Sequence, residues 1–157
     1  MPSRWPLLNS SFSILNFSNL FIAMKINHLA IAVPDLDAAL AFYRDALGLP
    51  VQQVERVERE GVKVAFLPLG ESHIELVQPI RADTGIAKWL NKHGAGMHHL
   101  CVEVADIDAM LAQLAAKGIE LINPQPITRD NGTRYAFIHP RSAFGVLVEL
   151  YELRIEN

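Results

Sequence analysis

The chain has 157 residues, of which half are hydrophobic and a fifth are charged, and this is the profile of an ordinary globular protein. Its net charge of −3 offers no basic surface to a phosphate backbone, so we expect no nucleic-acid partner. No stretch is long and apolar enough to predict a transmembrane helix, so we expect no membrane partner either.

The first 23 residues differ in pattern from the rest. They are rich in Ser, Asn and apolar residues, and Arg4 is their one positive charge. This composition lacks the arginines of a mitochondrial transit peptide, and Asn16 helps to interrupt the apolar run that a signal peptide needs. Because Met24 begins an orderly strand pattern, we interpret residues 1–23 as an extension that is disordered or absent from the mature protein. A weak targeting signal is the alternative.

Residues 24–157 are predicted to form a single domain, because two halves of this segment repeat each other at an offset of 71 residues. His28 opens the run HLAIAV, and His99 opens the similar run HLCVEV. Internal repetition of this length indicates two copies of one supersecondary unit. We therefore divide the domain into one module at 24–80 and another at 97–153.

The first module begins with a β-branched run at residues 29–33, which predicts a strand. Asp35 can cap a following helix, because its side-chain oxygen can accept from free backbone N–H groups. Apolar residues at helical spacing continue to Leu47, and Gly48 is the expected helix end. Three further strands are predicted at 51–57, 62–68 and 73–77.

The second module repeats this order after a linker helix, predicted at residues 83–91 with Asp83 as its cap. A strand at 100–104 is followed by Asp106 as cap and by a helix that ends at Gly118. The remaining strands are predicted at 120–122, 135–139 and 145–151. One βαβββ unit would leave a sheet face bare, whereas two can join their sheets. We therefore predict an α+β fold in which two βαβββ modules form a curved mixed sheet around a cleft.

The repeat places two histidines and two carboxylates at equivalent positions. His28 and His99 open the first strand of each module, and Glu75 and Glu149 lie on the last strand. Side chains alternate between the faces of a strand, so both carboxylates should project away from their aliphatic neighbours. Two imidazoles and two carboxylates suit a divalent ion such as zinc, cobalt, nickel or manganese. One such residue alone would more often be structural, but the repetition favours a metal site in the cleft.

The other histidines and the single cysteine receive no role. His98 is expected to face away from its neighbour His99, and His73 is interpreted as structural at the strand edge. Two more histidines are assigned to loops: His93 and His139. Cys101 is interpreted as a buried apolar residue, and one cysteine cannot form an internal disulfide. This fits a reducing compartment, so we expect the cytoplasm, with the mitochondrial matrix as the alternative.

Four stretches of the chain form recognisable motifs: NHLAIAVPDL at 27–36, GESHIELVQP at 70–79, GMHHLCVEV at 96–104 and GVLVEL at 145–150. Together they resemble the methylmalonyl-CoA epimerases, a family of the vicinal-oxygen-chelate (glyoxalase) superfamily. The opening motif is shared by the whole superfamily, whereas the GMHH run combined with the GVLVEL ending is more specific to the epimerases.

The resemblance implies a set of metal ligands, a substrate and an assembly. The implied ligands are His28, Glu75, His99 and Glu149, and some members of the family have Gln at the position of Glu75. The implied substrate is the CoA thioester of methylmalonate, whose two C2 epimers are interconverted through a metal-stabilised enolate. The implied assembly is a homodimer.

The resemblance also implies two catalytic carboxylates, of which one is Glu149. The other is expected in the hairpin before the third strand, where the family's position falls on Arg59. Glu58 and Glu60 flank it. We assign Glu60 as the second base, because the conformational freedom of Gly61 next to it can turn that side chain into the cleft. Glu58 is the alternative, and either residue could instead be a solvated hairpin charge.

Three other functions within the superfamily compete with the epimerase. A glyoxalase I (lactoylglutathione lyase) would use a similar four-ligand metal site but bind a glutathione adduct. An extradiol dioxygenase would use two histidines and one carboxylate around iron, and Glu75 as a fourth ligand argues against it. A non-catalytic small-molecule-binding protein would need a pocket but no metal cluster.

Overall fold

The computed structural model describes residues 24–153, so the expectations for residues 1–23 and 154–157 lie outside the described residues. No helix in this range is long and apolar enough to cross a membrane. Three helices lie within it, α1 Leu36–Leu40, α2 Gly85–His93 and α3 Ile107–Ala116. The strands described there are β1 Lys25–Ala32, β2 Gln53–Val57, β3 Val62–Leu69, β4 Ser72–Pro79, β5 Gly96–Glu103, β6 Ile127–Thr128, β7 Arg134–Ile138 and β8 Val148–Glu152.

The strands form one sheet whose order is symmetric about its centre. The order is β2-β3-β4-β1-β5-β8-β7-β6, with β1 and β5 antiparallel at the centre. On each side the next strand runs parallel to the central one, as β4 does with β1 and β8 with β5. Both halves therefore have the predicted βαβββ order and are joined edge to edge. The predicted curved mixed sheet of two such modules is confirmed.

The two helices of the repeat begin where their caps were predicted. The Asp35 carboxylate accepts from the backbone N–H groups of Asp37 and Ala38, and Asp106 accepts from Ala109. These bonds satisfy N–H groups that have no partner inside a helix. The first helix then widens into a π-helical turn over Ala41–Ala46, which the sequence did not predict.

Equivalent apolar clusters join each helix to its half of the sheet. In the first module Leu36 of α1 packs with Leu76 of β4, and in the second Ile107 of α3 packs with Leu150 of β8. Because neighbouring strand residues point to opposite faces, the residues before Leu76 and Leu150 project away from the helices. This packing turns Glu75 and Glu149 toward the open, concave side of the sheet.

Two predicted strands of the second module differ in the structure. The strand predicted at 120–122 is reduced to a single bridge from Leu121 to Ile138, and a two-residue strand forms later at Ile127–Thr128. Pro124 and Pro126 separate these positions and cannot donate ladder hydrogen bonds. The strand predicted at 145–151 begins only at Val148, because a 3-10 helix over Pro140–Ala143 and a turn precede it.

The linker helix starts two residues later than predicted. Its N-cap is Thr84, whose hydroxyl accepts from the backbone N–H of Ala87 at 3.1 Å, so the assignment of Asp83 as cap was wrong. Asp83 instead forms an exposed ion pair with Arg81. The helix also extends to His93, which is its last residue and does not lie in a loop.

Replacing Thr84 by Ala is expected to lower the free energy of unfolding by about 1 kcal/mol, because the N–H of Ala87 loses its partner. Asp83→Ala is the matched control and should leave stability near that of the wild type, because it removes only an exposed charge. Urea denaturation of both variants measures the difference. A larger loss in Asp83→Ala than in Thr84→Ala would contradict the observed cap.

Candidate metal centre in the cleft

Three side chains converge on one point at the centre of the sheet. The Nε2 atoms of His28 and His99 lie 3.1 Å apart, and Oε2 of Glu149 lies 3.3 Å from the first and 3.0 Å from the second. All three residues are buried. Donor atoms placed around one zinc-sized ion at about 2.1 Å are separated from each other by roughly 3.0–3.4 Å. The three separations therefore fit a shared divalent ion.

The sheet register brings these residues together from distant parts of the chain. On the central strands His28 pairs with Cys101, and His99 pairs with Ala30. On the outer side of β5, Cys101 pairs with Glu149 of β8. The repeat thus places one histidine from each module and one carboxylate at the centre, as the sequence predicted.

Glu75, the fourth predicted ligand, lies beside this cluster on the other edge of the His28 ring. Its Oε1 is 3.5 Å from Nδ1 of His28 and 3.1 Å from Nε2 of His73. It faces the same cavity as His99 and Glu149. The structure therefore brings three predicted ligands into mutual contact and holds the fourth next to them.

His73 and His98 also reach the cleft, although no role was predicted for them. His73 contacts Glu75, and its ring lies 5.1 Å from that of His28. The period of two that links residues 73 and 75 is the sequence signal that could have identified it.

The expectation that His98 faces away from His99 was wrong. The two Nδ1 atoms lie 2.8 Å apart, and both side chains line the same cavity. A register shift between the central strands, from Ala30 opposite His99 to Ile31 opposite Met97, leaves His98 in a bulge. Burial, together with the charge of His99, lowers the pKa of His98 to about 4.

The Glu149 carboxylate is buried and ionised. Burial alone would raise its pKa, but hydrogen bonds from His28 and His99 outweigh that effect and hold the pKa at about 2. Its Oε1 is buried and has no hydrogen-bond partner in residues 24–153. A buried carboxylate oxygen without a partner is rare in proteins and is expected where an ion or a substrate completes the site. The donor set fits a divalent metal, and Oε1 of Glu149 faces the space that an ion or a substrate would fill.

The two candidates for the second base differ in position. Glu60 lines a cavity of about 390 Å³ together with Glu75, His99 and Glu149. Glu58 instead pairs with Arg56 on the same hairpin, and 68% of its side chain is exposed. Of the two, Glu60 is the residue placed at the cavity.

A cation that the sequence did not single out lies between the carboxylates of the cavity. Arg129, in the loop before β7, places Nη2 at 3.6 Å from Oε1 of Glu60 and at 3.7 Å from Oε1 of Glu149. No periodic pattern marks this residue, because it lies in an irregular loop and its partners are distant in sequence.

The walls of the cavity are mainly apolar. The side chains that line it between the charged groups are Val62, Val64, Val77, Ile86, Trp89 and Phe137. An apolar wall with a few convergent polar groups is typical of a small-molecule site.

Comparison with known proteins places the chain among related enzymes. The model of the "Glyoxalase/Bleomycin resistance protein/Dioxygenase superfamily" matches residues 27–137. Over 127 residues the chain is 42% identical to the mitochondrial methylmalonyl-CoA epimerase of Mus musculus, with 80% of this chain and 71% of the relative covered. It is 40% identical over 131 residues to the ethylmalonyl-CoA/methylmalonyl-CoA epimerase of Cereibacter sphaeroides, with 82% and 98% covered.

Comparison with a solved structure also shows similarity to a methylmalonyl-CoA epimerase. A methylmalonyl-CoA epimerase in complex with methylmalonyl-CoA and NH4+ superposes with a TM-score of 0.75 at 38% identity. The match covers 82% of this chain and 94% of that protein. The resemblance stated from the sequence motifs is therefore confirmed.

Proposed function

The chain belongs to the glyoxalase/bleomycin resistance protein/dioxygenase superfamily, and from its 40–42% identity to methylmalonyl-CoA epimerases we propose that it interconverts the two C2 epimers of methylmalonyl-CoA. The observation that carries the proposal is the convergence of His28, His99 and Glu149 beside a cavity that Glu60 lines together with His99 and Glu149. This arrangement supports a metal site flanked by carboxyl groups from both modules.

The reaction removes and returns a proton on the carbon between a thioester and a carboxylate. A divalent ion held by His28, His99 and Glu149, with Glu75 beside them, would supply positive charge for the oxyanion that develops when this carbon loses its proton. A substrate packed against the apolar walls would displace water, and this would strengthen the electrostatic interactions inside the cavity.

Glu60 and Glu149 are proposed to transfer the proton on opposite faces of this carbon. One carboxylate takes the proton from C2, and the electron pair of the broken C–H bond enters the enolate. The other carboxyl group then donates its proton to the opposite face, and the new C–H bond completes the epimer. No atom is gained or lost, and the two carboxyl groups exchange protonation states.

Glu149 can serve both purposes because its two oxygens differ in environment. Oε2 faces the imidazoles of His28 and His99, whereas Oε1 has no hydrogen-bond partner among the described residues. We propose that Oε2 binds the metal and that Oε1 accepts the proton from C2, because the resting carboxylate is ionised.

Several finer expectations belong to this proposal. We propose zinc, cobalt, nickel or manganese as the ion, a homodimer as the assembly and the cytoplasm as the location. The division into modules at 24–80 and 97–153 within one domain is proposed in the same way. The ethylmalonyl-CoA in the name of the Cereibacter sphaeroides relative makes the ethyl homologue a second substrate to assay.

The test is conversion of each pure methylmalonyl-CoA epimer into the other by the purified full-length chain. The hemithioacetal of methylglyoxal and glutathione is assayed in parallel, because a lactoylglutathione lyase would consume it. Turnover of the CoA thioester alone supports the proposal. Turnover of the glutathione adduct alone would identify a lactoylglutathione lyase instead. Turnover of neither compound by metal-loaded protein would favour a non-catalytic binding protein.

A further inference from the structure

The hairpin tips of the two modules meet across the open side of the cleft. The tip between β2 and β3 carries Arg59 and Glu60, and the loop between β6 and β7 carries Arg129 and Asp130. Two ion pairs of opposite polarity join them. Nη1 of Arg59 lies 3.5 Å from Oδ1 of Asp130, and Nη2 of Arg129 lies 3.6 Å from Oε1 of Glu60.

The two cross-cleft pairs differ in environment. Arg59 and Asp130 are 67% and 99% exposed, and an ion pair in water contributes little. Arg129 is half-buried, 42% of the Glu60 side chain is exposed, and both line the cavity of the metal site. Only the second pair is therefore placed to influence the chemistry of the cleft.

Arg129 also faces the second carboxylate. The same Nη2 atom lies 3.7 Å from Oε1 of Glu149, so one nitrogen is shared between a carboxylate of each module. Within residues 24–153, Arg129 is the only lysine or arginine that pairs with either Glu60 or Glu149. Its loss would leave these like charges facing each other across the cavity without a balancing cation from the protein.

The position of Arg129 is fixed by its surroundings. Its guanidinium carbon lies 4.6 Å from the centre of the Tyr135 ring and 5.8 Å from that of Tyr151. The loop that carries it is closed by a 2.8 Å hydrogen bond from its backbone N–H to the carbonyl of Thr133. Stacking on aromatic rings suits the planar guanidinium and holds it in one orientation.

Arg129 remains a cation in this position. Burial by itself lowers the pKa of its guanidinium, but the negative charges of Glu60 and Glu149 outweigh burial and raise the pKa above its usual value. The Glu60 side chain lies at a hairpin tip with 42% of its surface exposed, and Arg129 is its one ion-pair partner among residues 24–153.

We propose that Arg129 is a positioning residue that holds the Glu60 carboxylate inside the cleft, on the side of the substrate opposite Glu149. The proposal rests on the proposed function in so far as Glu60 is a base. A base displaced by about 1 Å can lose on the order of 10²-fold in rate, so loss of this contact is expected to slow the proton transfer that Glu60 performs.

The experiment compares Arg129→Gln with the wild type by uptake of solvent deuterium at C2, starting from each pure epimer. Uptake from the epimer that Glu60 deprotonates is expected to fall about 10- to 100-fold. The other epimer should keep most of its rate, because His28 and His99 hold Glu149 in place independently of Arg129. Arg129→Lys is expected to recover part of the loss, because it restores a cation. Metal content and melting temperature should stay near the wild-type values.

Two further variants separate positioning from a general structural effect. In a Glu60→Gln background, Arg129→Gln should add little further loss, because its effect passes through Glu60. Arg59→Gln is the matched control, since it removes an arginine from the neighbouring ion pair and should leave both rates unchanged.

Three results would overturn the proposal. These are wild-type rates in Arg129→Gln, an equal loss from both epimers, or a full additional loss in the Glu60→Gln background.

Crystal structures of the wild type and Arg129→Gln give a readout that does not depend on activity. We expect the Glu60 carboxylate to face the cavity in the first and solvent in the second, and an unchanged position would overturn the proposal. Absence of any exchange by the wild type would instead remove the proposed function, and the two failures are distinguishable.

Discussion

His28→Ala and His99→Ala are each expected to abolish stoichiometric metal binding, and turnover with it, while the protein stays folded. Each substitution removes one of three donor atoms that lie 3.0–3.3 Å from one another. Replacing a residue that only hydrogen-bonds a metal ligand already lowers metal affinity about 10- to 100-fold. Removing a ligand itself should therefore lower metal affinity by more than about 100-fold. Neither imidazole belongs to the apolar clusters that join helices to sheet, so the fold should survive.

Metal content of the purified variants, measured by mass spectrometry, checks this result, and circular dichroism checks the fold. His93→Ala is the matched control, because it removes an exposed imidazole at the end of α2 that pairs with no carboxylate among the described residues. Full metal occupancy in either His28→Ala or His99→Ala would show that the ligand assignment is wrong.

Glu60→Gln is expected to lower interconversion of the epimers by about 10²- to 10⁴-fold while the metal stays bound. The substitution removes a proton carrier but none of the three clustered donor atoms. Deuterium uptake should persist from the epimer that Glu149 deprotonates and should be lost from the other. Glu149→Gln, by contrast, should weaken both metal binding and turnover, because that residue is proposed to have two roles.

Glu58→Gln is the matched control, since it makes the same change two residues away on a side chain that pairs with Arg56 in solvent. It should keep near-normal turnover. If Glu58→Gln lost activity by orders of magnitude and Glu60→Gln did not, the second base would be Glu58.

The repeat explains why much of the site could be predicted from the sequence. A twofold pattern with an offset of 71 residues predicts that the opening strands of both modules are equivalent, and the sheet pairs those strands at its centre. His28 and His99 therefore meet wherever the two modules join edge to edge. The period of two places Glu149 on the same face, and the structure has all three side chains in contact.

The features that the sequence did not predict depend on local backbone geometry, which leaves no periodic pattern in the sequence. His98 lies in a bulge, and period-two reasoning assumes that a strand has none. Asp83 and Thr84 are both good helix caps, so residue type alone could not choose between them. Arg129 reaches the cleft because the β6–β7 loop folds toward the other module, which only the packing of the two modules determines.

The most direct test of a metal-dependent proton transfer at C2 uses the wild-type chain and one pure methylmalonyl-CoA epimer in D₂O. Metal-loaded protein should give both epimers with one deuterium at C2. Protein stripped of metal by a chelator should give neither exchange nor epimerisation, and added cobalt or zinc should restore both. Metal-dependent proton transfer at C2 would be contradicted if metal-loaded protein left the C2 proton in place. It would also be contradicted if metal-free protein exchanged that proton at the same rate as metal-loaded protein.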